Sequence, residues 1–193
     1  CGVLRRIAYV NRERTMITAA DVYRAKILIV DDKKANVLLL DRILRNAGYT
    51  FVASTSDPTE VCDIHSQIQY DLILLDLMMP VMDGFAVMEG LKEIEHDGYL
   101  PVLVITAQPE QKLRALKAGA RDFISKPFDI AEVLMRVYNM LEVRLLHLET
   151  KRLYEEVMEE KRVSERLLLN VLPPSVAERL KTGPGIIADS YTD

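Results

Sequence analysis

The sequence has few cysteines, no long apolar run and little net charge, and each shortage excludes a class of protein. The only two cysteines, Cys1 and Cys62, match neither a disulfide framework nor a zinc site. Apolar runs such as residues 72–75 are far too short to cross a bilayer, so we expect no membrane partner. A net charge of -4 gives no electrostatic footprint for nucleic acid. The composition, 49% hydrophobic and 28% charged, is that of a globular protein, and we expect a cytoplasmic location.

The first 25 residues predict an N-terminal tail. Four arginines lie between positions 5 and 14, but the apolar segment of a secretory signal is missing. The chain begins with Cys1, whereas Met16 has the position of a natural start. Residues 1–15 are therefore interpreted as vector-encoded or upstream sequence.

From Lys26 onward, short apolar runs alternate with longer amphipathic segments. The apolar runs predict strands over residues 26–31, 50–55, 71–76, 101–106 and 122–125. The segments between them predict helices over residues 34–47, 58–69, 84–96 and 109–118, with a further helix starting near residue 129. Gly48 and Gly119 lie where helices should end, and Asp57 before Pro58 is typical of a helix start. This alternation predicts an α/β fold with a doubly wound, five-stranded parallel sheet.

Polar residues stand where these predicted strands end. Asp31 and Asp32 follow the first strand, Asp76 ends the third, Thr106 ends the fourth and Lys126 follows the fifth. Because the carboxyl ends of parallel strands share one edge of a sheet, we expect these side chains to converge. Each has an ordinary explanation when taken alone, such as a helix cap or a turn. Their joint position at strand ends favours a functional site.

Three carboxylates at one place raise one another's pKa unless a cation intervenes. Oxygen ligands of this kind favour Mg²⁺. Such a site can transfer a phosphoryl group, with Asp76 as the nucleophile that becomes an aspartyl phosphate. Thr106 can donate a hydrogen bond to the new phosphoryl oxygens, and Lys126 supplies a positive charge.

Residues 26–142 resemble the receiver domain of two-component response regulators. The matching segments are ILIVDD, LLDLMMPVMDG, VITA and FISKPF. The resemblance implies a flavodoxin-like sheet of order 2-1-3-4-5 and makes Asp76 the phospho-acceptor of a sensor histidine kinase or phosphotransfer protein. It also implies Mg²⁺ ligation by Asp31, Asp32 and Asp76, together with the backbone carbonyl of Met78.

The same resemblance implies the residues that sense phosphorylation. Thr106 is the switch hydroxyl, and Lys126 contacts the phosphate, with its bond to Pro127 expected to be cis. The switch aromatic is Phe123, where many members carry tyrosine. Phenylalanine can still move inward to fill space beside Thr106, but it has no hydroxyl to donate.

The composition changes after Phe128. Residues 130–172 contain neither glycine nor proline, and one helix of that span would extend about 64 Å, too far to pack on the receiver alone. A heptad stripe predicts a parallel coiled coil over residues 143–172, and therefore a homodimer. Its members are Val143, Leu146, Thr150, Leu153, Val157, Glu160, Ser164, Leu167 and Val171. The alternative, a helix folded back on itself, would need turn residues that are missing here.

Residues 167–193, LLLNVLPPSVAERLKTGPGIIADSYTD, resemble the segment that leads into the catalytic domain of class III adenylate and guanylate cyclases. The prolines end the helix, so residues 173–193 are interpreted as the lead-in segment. The cyclase metal-binding aspartates would lie beyond Asp193. We therefore expect this chain alone to be no enzyme, and the whole protein to be a cyclase regulated by its receiver through a dimeric helix.

There are three alternatives to a cyclase. A serine phosphatase is the first, because Leu-Pro-Pro also precedes those domains. A DNA-binding regulator is disfavoured, since the sequence after the receiver has neither a helix-turn-helix module nor a basic surface. A relay protein without output is disfavoured by the long helix.

Overall fold

A parallel sheet of five strands lies at the centre of the computed structural model, which describes residues 17–95, 99–108 and 110–171. The strands are β1 Lys26–Val30, β2 Phe51–Thr55, β3 Leu72–Asp76, β4 Val102–Thr106 and β5 Asp122–Ser125. They lie side by side in the order β2-β1-β3-β4-β5, and each adjacent pair is parallel. The predicted doubly wound, flavodoxin-like sheet is therefore confirmed.

Helices connect the strands and cover both faces of the sheet. Their bounds are α1 Ala19–Tyr23, α2 Lys34–Asn46, α3 Val61–Ile68, α4 Gly84–Ile94, α5 Gln111–Ala118 and α6 Ile130–Val171, with a 3-10 turn at Pro58–Glu60. Gly48 and Gly119 have φ of 103° and 110°, a left-handed conformation that suits glycine just after a helix. The helix predicted over residues 58–69 begins instead as a 3-10 turn. Asp57 caps this turn by accepting a hydrogen bond from Thr59 N–H at 2.9 Å.

Alternation along the strands gives the sheet two apolar faces. In β1, Ile27 and Ile29 join a buried cluster with residues of α1, α2 and α6, whereas Leu28 and Val30 join one with residues of α3, α4 and α5. Every residue of β3 and β4 is buried, because both of their faces are covered. Nearly continuous apolar strands are what this arrangement requires.

The helix α1 lies within the segment that the sequence predicts as a tail. Thr18 and Asp21 form a capping box at its start, in which Asp21 Oδ2 accepts from Thr18 N–H at 2.9 Å. Val22 is buried in the core beside α2 and α6. The segment that leads into β1 is therefore folded from Ala19, and five residues were too few for periodicity to reveal it.

The chain divides into two compact units, Cys1–Glu149 and Thr150–Asp193. The long helix that the sequence predicts after residue 129 is present as α6, and the second unit is described only as far as Val171. The predicted cyclase lead-in at residues 173–193 lies outside the described residues, as do residues 1–16. Within the described ranges, helices long and apolar enough to cross a membrane are absent.

Candidate functional site: an acidic cluster at the strand ends

Strand register brings the predicted site residues to one edge of the sheet. Val30 of β1 pairs with Leu75 of β3 in parallel register. The residues that follow them, Asp31 and Asp76, therefore lie side by side. Thr106 pairs with Ser125 at the ends of β4 and β5. The carboxyl ends of four strands thus form the floor of one site.

Three carboxylates meet at this edge. Asp31, Asp32 and Asp76 each offer an oxygen, and these oxygens all lie within 4.8 Å of one another. Asp31 and Asp76 are buried, whereas Asp32 is half-buried. The sequence predicted that these three residues converge, although a helix, a strand and a second helix lie between Asp32 and Asp76 in the chain.

Asp31 is fixed by donors that the sequence analysis missed. Its Oδ1 accepts hydrogen bonds from Lys33 N–H at 2.9 Å and from the Asn36 side-chain amide at 3.0 Å. The same amide nitrogen lies 2.8 Å from Asp31 Oδ2. Asn36 is in the first turn of α2, five residues after Asp31, where an amide can face back to the strand end. That spacing was the available signal.

Lys126 provides the cation of the site. Its Nζ lies 2.9 Å from Asp31 Oδ2 and 3.2 Å from Asp76 Oδ1. One ammonium cannot balance three carboxylates, so the cluster remains negative. Burial raises the pKa of Asp76, and the charges of Asp31 and Asp32 raise it further, while Lys126 acts in the opposite direction.

The acidic cluster fits a hard divalent cation. Among the described residues, the buried Oδ1 of Asp32 has no hydrogen-bond partner. A buried carboxylate oxygen without a donor is costly unless a cation satisfies it. The all-oxygen donor set is the kind that Mg²⁺ accepts. The further ligand that the resemblance implies, the backbone carbonyl of Met78, stays a prediction.

The start of α4 lies directly against the acidic cluster. Gly84 N–H donates to Leu77 O at 3.1 Å, and a Cβ on Gly84 would lie 2.6 Å from the carbonyl oxygen of Asp76. Only glycine therefore allows α4 to approach this closely. Asp83 caps the helix by accepting from Ala86 N–H at 2.9 Å.

The predicted switch residues flank the same edge. Thr106 is fully buried, and its hydroxyl oxygen accepts from Gln108 N–H at 3.1 Å, which leaves the hydroxyl hydrogen able to donate. Phe123 is half-buried in β5, with Lys112 Nζ 4.7 Å from its ring centroid. The bond between Lys126 and Pro127 is cis, as expected.

Comparison with known proteins identifies the class. Residues 27–138, more than half of the chain, match the response regulator receiver domain, and the chain belongs to this family. The DNA-binding dual master transcriptional regulator RpaA of Synechocystis sp. is 41% identical over 118 residues, 60% of this chain and 48% of that protein. The response regulator PleD of Caulobacter vibrioides is 37% identical over 124 residues, 63% of this chain and 27% of that protein. The chain thus spans about half or less of these relatives.

A solved structure bears on the cofactor. The receiver domain of the sensor histidine kinase PA1611 from Pseudomonas aeruginosa is 29% identical, with a TM-score of 0.56 over 61% of this chain and 98% of that one. That structure has a magnesium ion coordinated in the active site cleft. Receiver domains bind Mg²⁺ at this acidic cluster and accept phosphate from sensor histidine kinases, so the predicted cofactor is confirmed for the family. These comparisons give no support for a cyclase output.

Proposed function

We propose that Asp76 accepts a phosphoryl group, in the presence of Mg²⁺, from a sensor histidine kinase or a phosphotransfer protein. The observation that carries this proposal is the position of the Asp76 carboxylate. It is buried among two other carboxylates and lies 3.2 Å from the Lys126 ammonium. Asp31, Asp32 and Asp76 would hold the cation, with the carbonyl of Met78.

The transfer needs a nucleophile and positive charge on the phosphoryl oxygens. An oxygen of Asp76 attacks phosphorus while the bond from phosphorus to the histidine nitrogen of the donor breaks, and the imidazole leaves with a proton from solvent. Asp31 and Asp32 would hold a Mg²⁺ ion, which would supply positive charge to the phosphoryl oxygens. Lys126 donates to one of those oxygens, which requires it to loosen its contact with Asp76.

Thr106 and Phe123 would report the phosphorylated state. The Thr106 hydroxyl turns its hydrogen toward a phosphoryl oxygen and moves toward Asp76. Phe123 then fills space beside it, although it cannot donate a hydrogen bond as tyrosine would. The movement of Phe123 would break the cation–π contact between its ring and the Lys112 ammonium.

Labelling with acetyl phosphate tests the acceptor. We expect the chain to take up one phosphoryl group with Mg²⁺ present and none with excess chelator, as measured by intact mass. Asp76→Asn should abolish the uptake. Asp57→Asn is the matched control, because that carboxylate caps a 3-10 turn and should leave labelling unchanged. Full labelling of Asp76→Asn would overturn the assignment.

We also propose that α6 forms a homodimer through its heptad stripe. Two stripe residues in its second half, Val157 and Leu167, are each 61% exposed. Apolar side chains repeated at this spacing on an exposed helix are the seam of a coiled coil. The polar stripe positions Thr150, Glu160 and Ser164 weaken the seam, which suits an element with two arrangements of similar energy.

Sedimentation at increasing concentration tests the dimer. Val157→Glu places a charge in the seam and should shift the chain toward monomer. Met158→Glu introduces the same charge one residue away, outside the stripe, and should leave the association unchanged. Equal association of both variants would contradict the seam.

As the output, we propose a nucleotide cyclase, supported by the resemblance of residues 167–193 to the cyclase lead-in segment. A DNA-binding output is the second candidate, because RpaA is a DNA-binding regulator. The protein expressed from its complete gene should convert ATP or GTP to a cyclic nucleotide at a rate that Asp76→Asn changes. Sequence-specific DNA binding without cyclic nucleotide formation would favour the second candidate.

A further inference from the structure

The helix α4 runs from the backbone beside Asp76 at its start to the buried carboxylate of Glu95 just past its end. Its first residue, Gly84, lies against the backbone of Asp76 and Leu77. One face, with Val87, Met88 and Leu91, is buried under the sheet. Just past its last turn stands Glu95, whose side chain is only 8% exposed. Because this face is packed and Glu95 N–H donates to Leu91 O at 3.0 Å, a displacement of α4 at Gly84 would be passed on to Glu95.

The Glu95 carboxylate contacts a histidine on one helix and an arginine on another. His65 of α3 lies with Nε2 3.2 Å from Glu95 Oε2, and its Nδ1 accepts from Tyr70 N–H at 3.2 Å. Because Nδ1 is an acceptor, the imidazole proton is on Nε2 and is donated to Glu95. The other carboxylate oxygen, Oε1, lies 3.5 Å from Nη1 of Arg144 on α6.

Arg144 is held from a second side. Its Nη1 also donates to the carbonyl oxygen of Tyr99, the residue that leads towards β4. Arg144 is 3% exposed, and the ring of Tyr99 lies 5.3 Å from the ring of His147, one turn further along α6. This segment of α6 belongs to the first compact unit. An ion pair, a hydrogen bond and a ring contact hold it in place there.

We propose that the His65–Glu95–Arg144 cluster couples the phosphorylation site to α6, with Glu95 as a positioning residue that transmits the movement of α4. This route rests on the proposed function of Asp76. It is separate from Thr106, which ends β4, and from Phe123 in β5, whereas Tyr99, the partner of Arg144, precedes the start of β4.

A buried ion pair is suited to this task. If α4 moves Glu95, the buried guanidinium of Arg144 must follow or lose its counter-charge in a medium that solvates it poorly. An apolar contact at the same place could slide without such a cost. The pair therefore ties the end of α4 to one turn of α6 more strictly than packing alone would.

Amide hydrogen exchange tests the route in the chain of 193 residues, with Mg²⁺ and with or without saturating beryllofluoride as the phosphoryl mimic. We expect beryllofluoride to change exchange at residues 141–149 by about fivefold or more in the parent. Glu95→Gln keeps the side-chain shape and removes the charge. It should bind beryllofluoride at saturation, with altered exchange around Asp76, yet lose the response at residues 141–149.

Glu93→Gln is the matched control, since it makes the same substitution on the exposed side of α4 and should keep the response. If Glu95→Gln does not fold, the double variant Glu95→Gln with Arg144→Met removes both charges and should also lose the response. A parent that responds around Asp76 but not at residues 141–149, or a Glu95→Gln variant with the parental response there, overturns the route alone. A parent without any beryllofluoride response overturns the proposed function itself.

Discussion

The ammonium of Lys126 lies 2.9 Å from the carboxylate of Asp31, although 95 residues separate the two in the sequence. The same ammonium is 3.2 Å from Asp76. Lys126 is thus shared by a carboxylate that would hold the cation and by the proposed phospho-acceptor. Phosphorylation of Asp76 would add negative charge beside this ammonium, which has only to exchange its contact with the Asp76 carboxylate for one with a phosphoryl oxygen.

Lys126→Ala should uncouple phosphorylation from its structural consequences. The variant should fold, with a free energy of unfolding lower by about 1–3 kcal/mol because Asp31 and Asp76 lose a charged donor. Beryllofluoride should then fail to produce the parental change in amide exchange around Thr106 and Phe123. Lys126→Arg keeps the charge but presents a bulkier, forked guanidinium. Its free energy of unfolding should therefore be closer to that of the parent than its beryllofluoride response is. An Ala variant with the parental response would remove Lys126 from the switch.

Asp32→Asn should weaken Mg²⁺ binding while leaving the fold intact. The Oδ1 of Asp32 is buried without a hydrogen-bond partner among the described residues, so a cation is the group that satisfies it. We expect the dissociation constant measured by calorimetry to rise roughly tenfold or more. Asp57→Asn, the control on a surface cap, should bind Mg²⁺ as the parent does. Equal affinity in all three proteins would exclude Asp32 as a ligand.

The stability of the chain without Mg²⁺ should depend on the protonation of Asp76. Burial raises the pKa of this carboxyl in the folded state. A group with a raised folded pKa contributes stability below its unfolded pKa and loses that contribution as the pH rises through its folded pKa. At neutral pH the ionised Asp76 is therefore unfavourable.

Asp76→Asn should accordingly raise the free energy of unfolding at neutral pH, as measured by urea denaturation with a chelator present. The gain should shrink as the pH falls through the range in which carboxyl groups titrate, because the parent then becomes neutral at this position as well. A variant less stable than the parent at neutral pH would show that the Lys126 contact outweighs burial.

Gly84→Ala should destabilise the fold. The added Cβ would lie 2.6 Å from the carbonyl oxygen of Asp76 and 2.9 Å from Leu77 Cα, and both are backbone atoms that cannot move aside cheaply. We expect a loss of about 1–3 kcal/mol in thermal or urea denaturation. Gly90→Ala is the control in the same helix. There the nearest atom is the Cys62 Sγ at 2.9 Å, a side-chain atom, and the higher helix propensity of alanine offsets part of the clash.

The sequence predicted those parts of the fold and site that depend on local patterns. The apolar runs predicted the strands. The positions of Asp31, Asp32, Asp76, Thr106 and Lys126 at the strand ends predicted the site. Parallel strands share an edge, so position along each strand was enough to bring these residues together. The helix ends at Gly48 and Gly119 followed from local backbone chemistry in the same way.

Features that depend on tertiary contacts were not accessible in this way. The close approach of Gly84 to Asp76, and the burial of Arg144 against Glu95, depend on how helices pack over the sheet. A charged residue on a helix gives no sign in the sequence that it is buried. Helix α1 was missed because five residues are too short for periodicity, although its capping box could have indicated it.

Chemical mapping of the phosphoryl group shows which carboxylate accepts it. The chain is incubated with acetyl phosphate and Mg²⁺, and the aspartyl phosphate is reduced with borohydride, which converts the modified residue to homoserine. Peptide mass spectrometry then locates it. We expect homoserine at position 76 and at neither 31 nor 32, and no homoserine when Mg²⁺ is removed. Homoserine at 31 or 32 in place of 76, or equal modification without Mg²⁺, would contradict this expectation.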